Sequence, residues 1–207
     1  GTTTPVAVIL NGFNVKNLKS AVCSSKEPMS LIYVGHLQWQ KQVHITIQAF
    51  AQIYPRYPEA TLTIIGMGPE RQTLEDLCEE LDIGKAVRFL GEVPNSVVFE
   101  QLAKSQFFVM PSVREGFGIV YLEAMVSGCL AIGTVGEGIA DLIVSGSNGF
   151  LVPPECPEVI CEKMVWCIEH PDEMKRMASR GMRDAQAQTW EKNAGDYNTL
   201  FHKIVSQ

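Results

Sequence analysis

The sequence lacks the signals that mark secreted and membrane-spanning proteins. No signal peptide opens it, and no apolar run approaches the roughly 20 residues that cross a bilayer. We therefore expect a cytoplasmic protein, and peripheral contact with a membrane stays open for a longer form of it. The chain begins with Gly1 and a run of threonines. From this start we expect a fragment whose residues 1–5 are a boundary or linker segment.

The six cysteines include no Cys-x-x-Cys pair. A chain of 207 residues can bury a sufficient core without disulfides, so free thiols are the expected state. A metal site made of Cys156, Cys161, Cys167 and His170 is a weaker alternative. Because Cys161 and Cys167 are six residues apart, they would lie on different faces of a helix. We predict no metal site.

An excess of positive charge is also missing. The chain has 17 Lys and Arg against 23 Asp and Glu, which gives a net charge of −6. A nucleic-acid partner requires a basic face that binds phosphates, so the composition argues against such a partner. A local basic pocket remains compatible with this balance.

Complete nucleotide-binding motifs are absent too. There is no P-loop, and the stretch Gly66-Met67-Gly68 lacks the third glycine of a dinucleotide fingerprint, because Arg71 stands there. A tight turn between a strand and a helix explains this stretch equally well.

Short β-branched runs that alternate with amphipathic stretches are the main positive feature. We predict strands at Val6–Leu10, Leu31–Val34, Thr61–Ile65, Val87–Leu90, Phe107–Met110, Leu130–Ile132 and Phe150–Val152. We predict helices between the strands from Leu31–Val34 onward, a short helix at residues 139–144, and helical pieces from Pro157 onward that break at Pro171 and Gly181. The alternation predicts an α/β fold, a Rossmann-like parallel sheet with helices on both faces. Ligands of such sheets bind in the loops at the carboxyl ends of the strands.

The loop from Pro111 to Gly118 is the strongest candidate site. Its glycines precede a helix, so the backbone can approach a ligand and the free amides of the helix start can bind an anion such as a diphosphate. Glu115 lies at the mouth of this helix, and Glu123 lies in its second turn. A carboxylate in such an apolar helix is costly unless it accepts hydrogen bonds, which ribose hydroxyls could donate. The alternatives are a charge at the helix N-terminus for Glu115 and a solvated helix residue for Glu123.

A second loop, from Gly35 to Lys41, places a cation just before a helix. Lys41 can neutralise a phosphate and His36 can donate a hydrogen bond to one. A solvated lysine and an ordinary loop histidine explain this loop as well. The Gly-rich loop from Gly133 to Asp141 could hold a sugar or a phosphate, or could simply turn the chain.

Taken together, these loops resemble the C-terminal domain of family 4 glycosyltransferases, which have the GT-B fold. The resemblance rests on motifs that follow one another in the order of the family. They are Gly35-x-Leu37-x-x-x-Lys41, Ile64-x-Gly66-x-Gly68-Pro69, Phe89-Leu90-Gly91, Pro111-Ser112, the Glu115-x₇-Glu123 signature and Asn148-Gly149-Phe150-Leu151-Val152. The resemblance covers nearly the whole chain.

The resemblance implies a role for each matching residue. It implies that Lys41, with His36 and Gly35 beside it, binds the donor diphosphate and that Glu115 contacts the donor sugar near the reacting carbon. It also implies that Glu123 binds both ribose hydroxyls. Further donor contacts come from the amides of Gly116, Phe117, Gly118 and Ile119 and from the backbone at Glu92 and Val93, which would frame the nucleobase.

The sequence departs from the family at three places. His36 stands where the family usually has Arg, and Gln42 where it usually has Gly. The family's Gly-Gly-Ile-Pro-Glu segment reads Gly-Glu-Gly-Ile-Ala-Asp at residues 136–141. Because histidine is a weaker and pH-dependent partner for phosphate, we expect altered donor affinity.

The resemblance implies a retaining glycosyltransferase that transfers a sugar from a nucleoside-diphosphate sugar, by family frequency a UDP-sugar, to an acceptor hydroxyl. We expect no cofactor, and the absence of Asp-x-Asp predicts no bridging metal. We expect residues 1–207 to form one donor-binding domain, with the helix in 189–207 packing back toward a missing N-terminal domain. That domain would bind the carbohydrate or lipid-linked acceptor, so the fragment should bind nucleotide with little transfer activity. The alternatives are a non-catalytic nucleotide-sugar-binding module and an NAD-dependent oxidoreductase domain.

Overall fold

The structure is a computed structural model that describes residues 7–13 and 26–205. The strands are β1 (Ser30–Val34), β2 (Thr61–Ile65), β3 (Val87–Gly91), β4 (Phe107–Val109), β5 (Leu130–Thr134) and β6 (Phe150–Val152). The α-helices are α1 (Val43–Ile53), α2 (Arg71–Glu80), α3 (Asn95–Lys104), α4 (Ile119–Val126), α5 (Pro157–Glu169), α6 (Pro171–Gln186) and α7 (Trp190–Val205). The predicted boundary segment, residues 1–5, lies outside the described residues.

The six strands form one parallel sheet in the order β3-β2-β1-β4-β5-β6. This is the Rossmann order. Strands β2 and β3 are added on one side of β1, and β4, β5 and β6 are added on the other side, so the strand order reverses between β1 and β4. Helix α1 contacts α2 and α5, whereas α4 contacts α3 and α6. Because parallel crossovers are right-handed, the reversal of strand order places these two groups on opposite faces of the sheet. The predicted fold class is therefore confirmed.

Burial follows the position of each strand in the sheet. All residues of β4 and β5 are buried, and only the last residue of β1 is not. Edge strand β3 alternates instead, with Arg88 and Leu90 exposed. Central strands of a parallel sheet are covered by helices on both faces, which is why they appear in the sequence as continuous apolar runs.

The predicted strand at Val6–Leu10 is wrong for the part that the structure describes. Residues 7–10 pair with no strand among the described residues, and Val8 is 67% exposed. The carbonyl of Leu10 instead accepts a hydrogen bond from the Asn193 side chain at 2.6 Å, which ties this segment to α7. An apolar run alone cannot show whether a neighbouring strand is present to pair with it.

The predicted break at Gly181 is also wrong, since α6 continues through it from Pro171 to Gln186. A Cβ atom at Gly181 would lie 2.6 Å from the carbonyl oxygen of Asn148. This glycine therefore allows close packing and does not end the helix. The predicted short helix at residues 139–144 is a 3₁₀ turn at Gly138–Asp141.

Five of the six cysteines lie among the described residues, and all five are free thiols. Burial raises the pKa of the Cys129 thiol to about 11 and that of Cys167 to about 12. Within residues 7–13 and 26–205 there is no cluster of three or more side chains that could hold a metal ion. No helix in these ranges is both long enough and apolar enough to cross a membrane.

Candidate functional site

The candidate site lies where the strand order reverses, between the adjacent strands β1 and β4. The loops that follow these two strands meet there, and the amide of Val113 donates a hydrogen bond to the carbonyl of Gln40 at 2.7 Å. The crevice at such a reversal is where open parallel sheets bind ligands. The fold thus brings together the two loops that carry the candidate residues.

An ion pair between Lys41, at the end of the first loop, and Glu115, within the second loop, joins the two loops. The ammonium group of Lys41 donates to a carboxylate oxygen of Glu115, and the side chains are 26% and 14% exposed. Lys41 ends a 3₁₀ turn just before α1, and Glu115 precedes α4 by four residues. The guanidinium of Arg114 covers the exposed ring of Trp39 at 5.2 Å, which adds a second contact between the loops. Because the pair is partly shielded from water, its attraction is stronger than that of a surface pair.

The main chain of Glu115 is held as well. Its amide donates to a carboxylate oxygen of Glu137 at 2.5 Å, and its carbonyl accepts from the amide of Gly138 at 3.2 Å. No individual role for Glu137 follows from the sequence. The available signal was a carboxylate within a Gly-rich loop that follows a strand and opens a short turn.

The start of α4 is open to a ligand. Gly118 precedes the helix with a φ of 71°, a left-handed conformation that favours glycine, and no side chain caps the helix. Gly116 is exposed, and no atom lies within 4 Å of where its Cβ would be. Phe117 is buried beneath the loop, whereas Ile119 is 44% exposed. Free amides at a helix start bind anions, so this region can bind a phosphate group.

Glu123 lies one turn further along α4. It is half-buried, and this burial raises the pKa of its carboxyl group. Among the described residues its carboxyl group has no hydrogen-bond or salt-bridge partner. A half-buried carboxylate without hydrogen-bond donors is unfavourable, and the hydroxyl groups of a ligand could supply such donors.

A cavity of about 280 Å³ opens at the carboxyl ends of β1, β2 and β3. Four residues predicted to bind the donor line it, namely Gly35, His36, Glu92 and Val93. The imidazole of His36 is exposed, and its carbonyl accepts a hydrogen bond from the Tyr33 hydroxyl at 2.9 Å. The loop from Gly35 to Lys41 therefore reaches from this cavity to the ion pair. The predicted residues form two neighbouring groups at one edge of the sheet, and their individual roles stay predictions.

Gln42 shows how this chain accommodates one departure from the family pattern. Its φ is 50°, in the left-handed region, and its side chain is buried. Its amide group donates to the carboxylate of Glu155 at 3.3 Å. A left-handed conformation costs a non-glycine residue roughly 1–2 kcal/mol, which this partly buried contact helps to offset.

Comparison with known proteins agrees with this architecture. The family model described as glycosyl transferases group 1 matches residues 15–184. The chain is 31% identical over 179 residues to a D-inositol 3-phosphate glycosyltransferase of Corynebacterium urealyticum, an alignment that covers 83% of this chain. It spans 42% of the length of that relative.

Solved structures show the same fold. The C-terminal domain of a group 1 glycosyl transferase from Francisella tularensis superposes with a TM-score of 0.72 and 23% identity, covering 87% of this chain and 95% of that domain. The Anabaena protein HepE, solved in complex with UDP and glucose, gives a TM-score of 0.78 and 22% identity over 97% of this chain and 57% of that one. With a family model that matches most of its length, the chain belongs to the glycosyl transferases group 1 family.

Proposed function

We propose that the chain is the donor-binding half of a glycosyltransferase that transfers a sugar from a nucleoside-diphosphate sugar to an acceptor hydroxyl. The observation that carries this proposal is the Lys41–Glu115 pair at the open start of α4, beside the cavity at β1–β3. A cation, a carboxylate and free helix amides at one point match the diphosphate and the sugar of such a donor.

The donor would extend from the cavity at β1–β3 to the Lys41–Glu115 pair at the start of α4. The nucleobase would enter the cavity beside Gly35 and Val93, and the ribose hydroxyls would donate to Glu123. The diphosphate would lie between Lys41 and the first turn of α4, which leaves the sugar at Glu115. UDP is the first candidate for the nucleotide, because HepE, which shares the fold, was solved with UDP and glucose.

The same groups can promote the reaction. As the bond between the sugar and the diphosphate breaks, negative charge builds on the leaving diphosphate. Lys41 and the uncapped start of α4 lie beside the place proposed for the diphosphate, so the ammonium group and the amide dipoles would stabilise this charge. Lys41 would have to share its protons between Glu115 and the phosphate when the donor binds. Since the sequence has no Asp-x-Asp, we propose that charge is neutralised without a bridging metal.

We further propose that configuration is retained at the sugar, as the family resemblance implies. The acceptor would bind to a second domain, because the chain spans less than half of its D-inositol 3-phosphate glycosyltransferase relative. The chain alone should therefore bind donor and transfer little. Robust transfer by the chain alone would contradict this.

Thermal unfolding with UDP, GDP, ADP and NAD, each with and without EDTA, tests the proposed function. A ligand present at about one hundred times its dissociation constant stabilises the folded state by about 2.7 kcal/mol. For a chain of this size we expect a rise in Tm of about 5–10 °C with one nucleoside diphosphate, unchanged by EDTA.

The control variants make this test specific. Glu123→Ala should abolish the shift, whereas Glu80→Ala, which removes an exposed carboxylate of α2, should keep it. A shift with NAD alone would instead favour an oxidoreductase and overturn the proposal.

A further inference from the structure

Three groups of Glu115, namely its carboxylate, its backbone amide and its backbone carbonyl, each make a hydrogen bond. Lys41 contacts its carboxylate, the Glu137 carboxylate accepts from its amide at 2.5 Å, and the Gly138 amide donates to its carbonyl at 3.2 Å. The last two contacts come from one segment, 22 and 23 residues further along the chain. They fix the peptide groups on both sides of the Glu115 Cα atom and therefore the direction in which its side chain leaves the backbone.

The segment that carries Glu137 is itself firmly placed. The amide of Val135, just after β5, donates to the carbonyl of Val152 at 3.0 Å. Gly136 then turns the chain with a φ of 79°, and Ile139 is fully buried behind it. A Cβ atom at Gly138 would lie 1.5 Å from the carbonyl oxygen of Gly116, so the two loops are in direct contact.

Local turn closure does not explain the Glu137 side chain. Glu137 occupies the N-cap position of the 3₁₀ turn Gly138–Asp141, where a carboxylate can accept from the amides of its own turn. It makes no such capping bond and reaches across to the amide of Glu115. A bond from an amide to a carboxylate is charge-assisted and stronger than a neutral one.

We infer that Glu137 is a positioning residue for Glu115 at the donor sugar. This inference rests on the proposed function, which places Glu115 beside the sugar. When Lys41 turns toward the donor diphosphate, its hold on the Glu115 carboxylate weakens. The two main-chain bonds then keep Glu115 and the neighbouring amide of Gly116 directed at the sugar. Glu137 accordingly affects recognition of the sugar and leaves recognition of the nucleotide unchanged.

The test compares the affinities of UDP and UDP-glucose for the wild-type chain and its variants by calorimetry. Glu137→Ala should weaken the binding of UDP-glucose by about tenfold, which corresponds to the loss of one hydrogen bond to a charged group. The affinity for UDP should stay unchanged. Glu137→Gln should retain most of the affinity, because its amide oxygen can accept from the same N–H group. Glu80→Gln is the control, since this carboxylate is exposed on α2 and belongs to none of the loops that form the candidate site.

The outcomes separate this inference from the proposed function. If the wild-type chain binds UDP-glucose but Glu137→Ala weakens UDP and UDP-glucose equally, Glu137 only supports the loop and the inference is overturned. The same holds if Glu137→Gln is as weak as Glu137→Ala. If the wild-type chain binds none of UDP, GDP and ADP, the proposed function fails and the role of Glu137 at the sugar fails with it. The NMR signal of the Glu115 backbone amide proton should shift strongly in Glu137→Ala, which removes its acceptor, and much less in Glu137→Gln, which keeps an acceptor oxygen.

Discussion

Glu123 shows how a single side chain can reduce stability while it serves binding. Burial raises the pKa of its carboxyl group above its usual range, so the folded state holds this proton more tightly than the unfolded chain does. The stability of the folded state therefore falls as the pH rises from the usual Glu pKa through the raised one. Once the pH exceeds the raised pKa, the carboxylate is charged and partly buried, with no hydrogen-bond donor among the residues that the structure describes.

We therefore predict that Glu123→Gln stabilises the ligand-free chain at neutral pH and makes little difference at a pH below the usual Glu range. The same variant should lose affinity for a ribose-containing diphosphate. Urea unfolding at the two pH values measures the first effect, with Glu80→Gln as the exposed control. Lower stability of Glu123→Gln at neutral pH would contradict this account.

Lys41 has a different energetic role, because it compensates a carboxylate that is mostly shielded from water. In Lys41→Ala, Glu115 loses its cation, and we expect a loss of about 1–2 kcal/mol in the free energy of unfolding. The exposed pair Lys192–Asp196 on α7 offers a control, and Lys192→Ala should cost less than about 0.5 kcal/mol. Equal losses in the two variants, measured by urea unfolding, would show that the Lys41–Glu115 pair is no more than a surface contact.

At the scale of elements, two glycines within helices allow the effect of helix propensity on stability to be distinguished from the effect of side-chain packing. Alanine is favoured over glycine inside a helix by about 1 kcal/mol, so Gly→Ala normally stabilises. At Gly181 in α6, however, the added Cβ would lie 2.6 Å from the Asn148 carbonyl oxygen, and the neighbouring loop would have to move. At Gly195 in α7 no atom lies within 4 Å of the added Cβ.

We predict opposite signs for these two substitutions. Gly181→Ala should lower the free energy of unfolding by about 1–3 kcal/mol because of overpacking, whereas Gly195→Ala should raise it by about 0.5–1 kcal/mol. Thermal and urea unfolding of both variants provide the measurement. Stabilisation by Gly181→Ala would mean that α6 and the Asn148 loop are not in the close contact described above.

The same elements show which parts of the fold the sequence could predict and why the other parts could not be predicted from it. The central strands were predictable because burial on both faces requires continuous apolar runs, as in Leu130–Ile132. The exposed segment around Val8 and the continuous helix at Gly181 were not. Both depend on whether a distant segment packs there, and residue patterns along the chain carry no such information.

The candidate site was predictable to a similar extent. The loop glycines and Lys41 could be selected because an anion site needs free amides and a cation, whereas the role of Glu115 comes from the family resemblance and stays a prediction. The bond from Glu115 to Glu137 depends on the direction of one side chain across 22 residues, which only the three-dimensional arrangement shows.

At the scale of the whole molecule, α7 is a helix that packs little against the rest of the described chain. None of its residues is buried, and Trp190, Tyr197 and Phe201 are each about half exposed or more. The helix contacts the described N-terminal segment, where Asn193 donates to the Leu10 carbonyl. We keep the prediction that this apolar face packs toward a second domain, which also agrees with the 42% share of the D-inositol 3-phosphate glycosyltransferase relative that the chain spans.

An NMR titration of the ¹⁵N-labelled chain with UDP tests the central claim most directly, because it locates the binding site residue by residue. We predict the largest amide shifts at Gly35 and Val93 in the cavity and at Gly116 to Ile119 before α4, and their loss in Lys41→Ala. Shifts confined to α5 and α6, or shifts with NAD and none with UDP, would contradict the donor site described here.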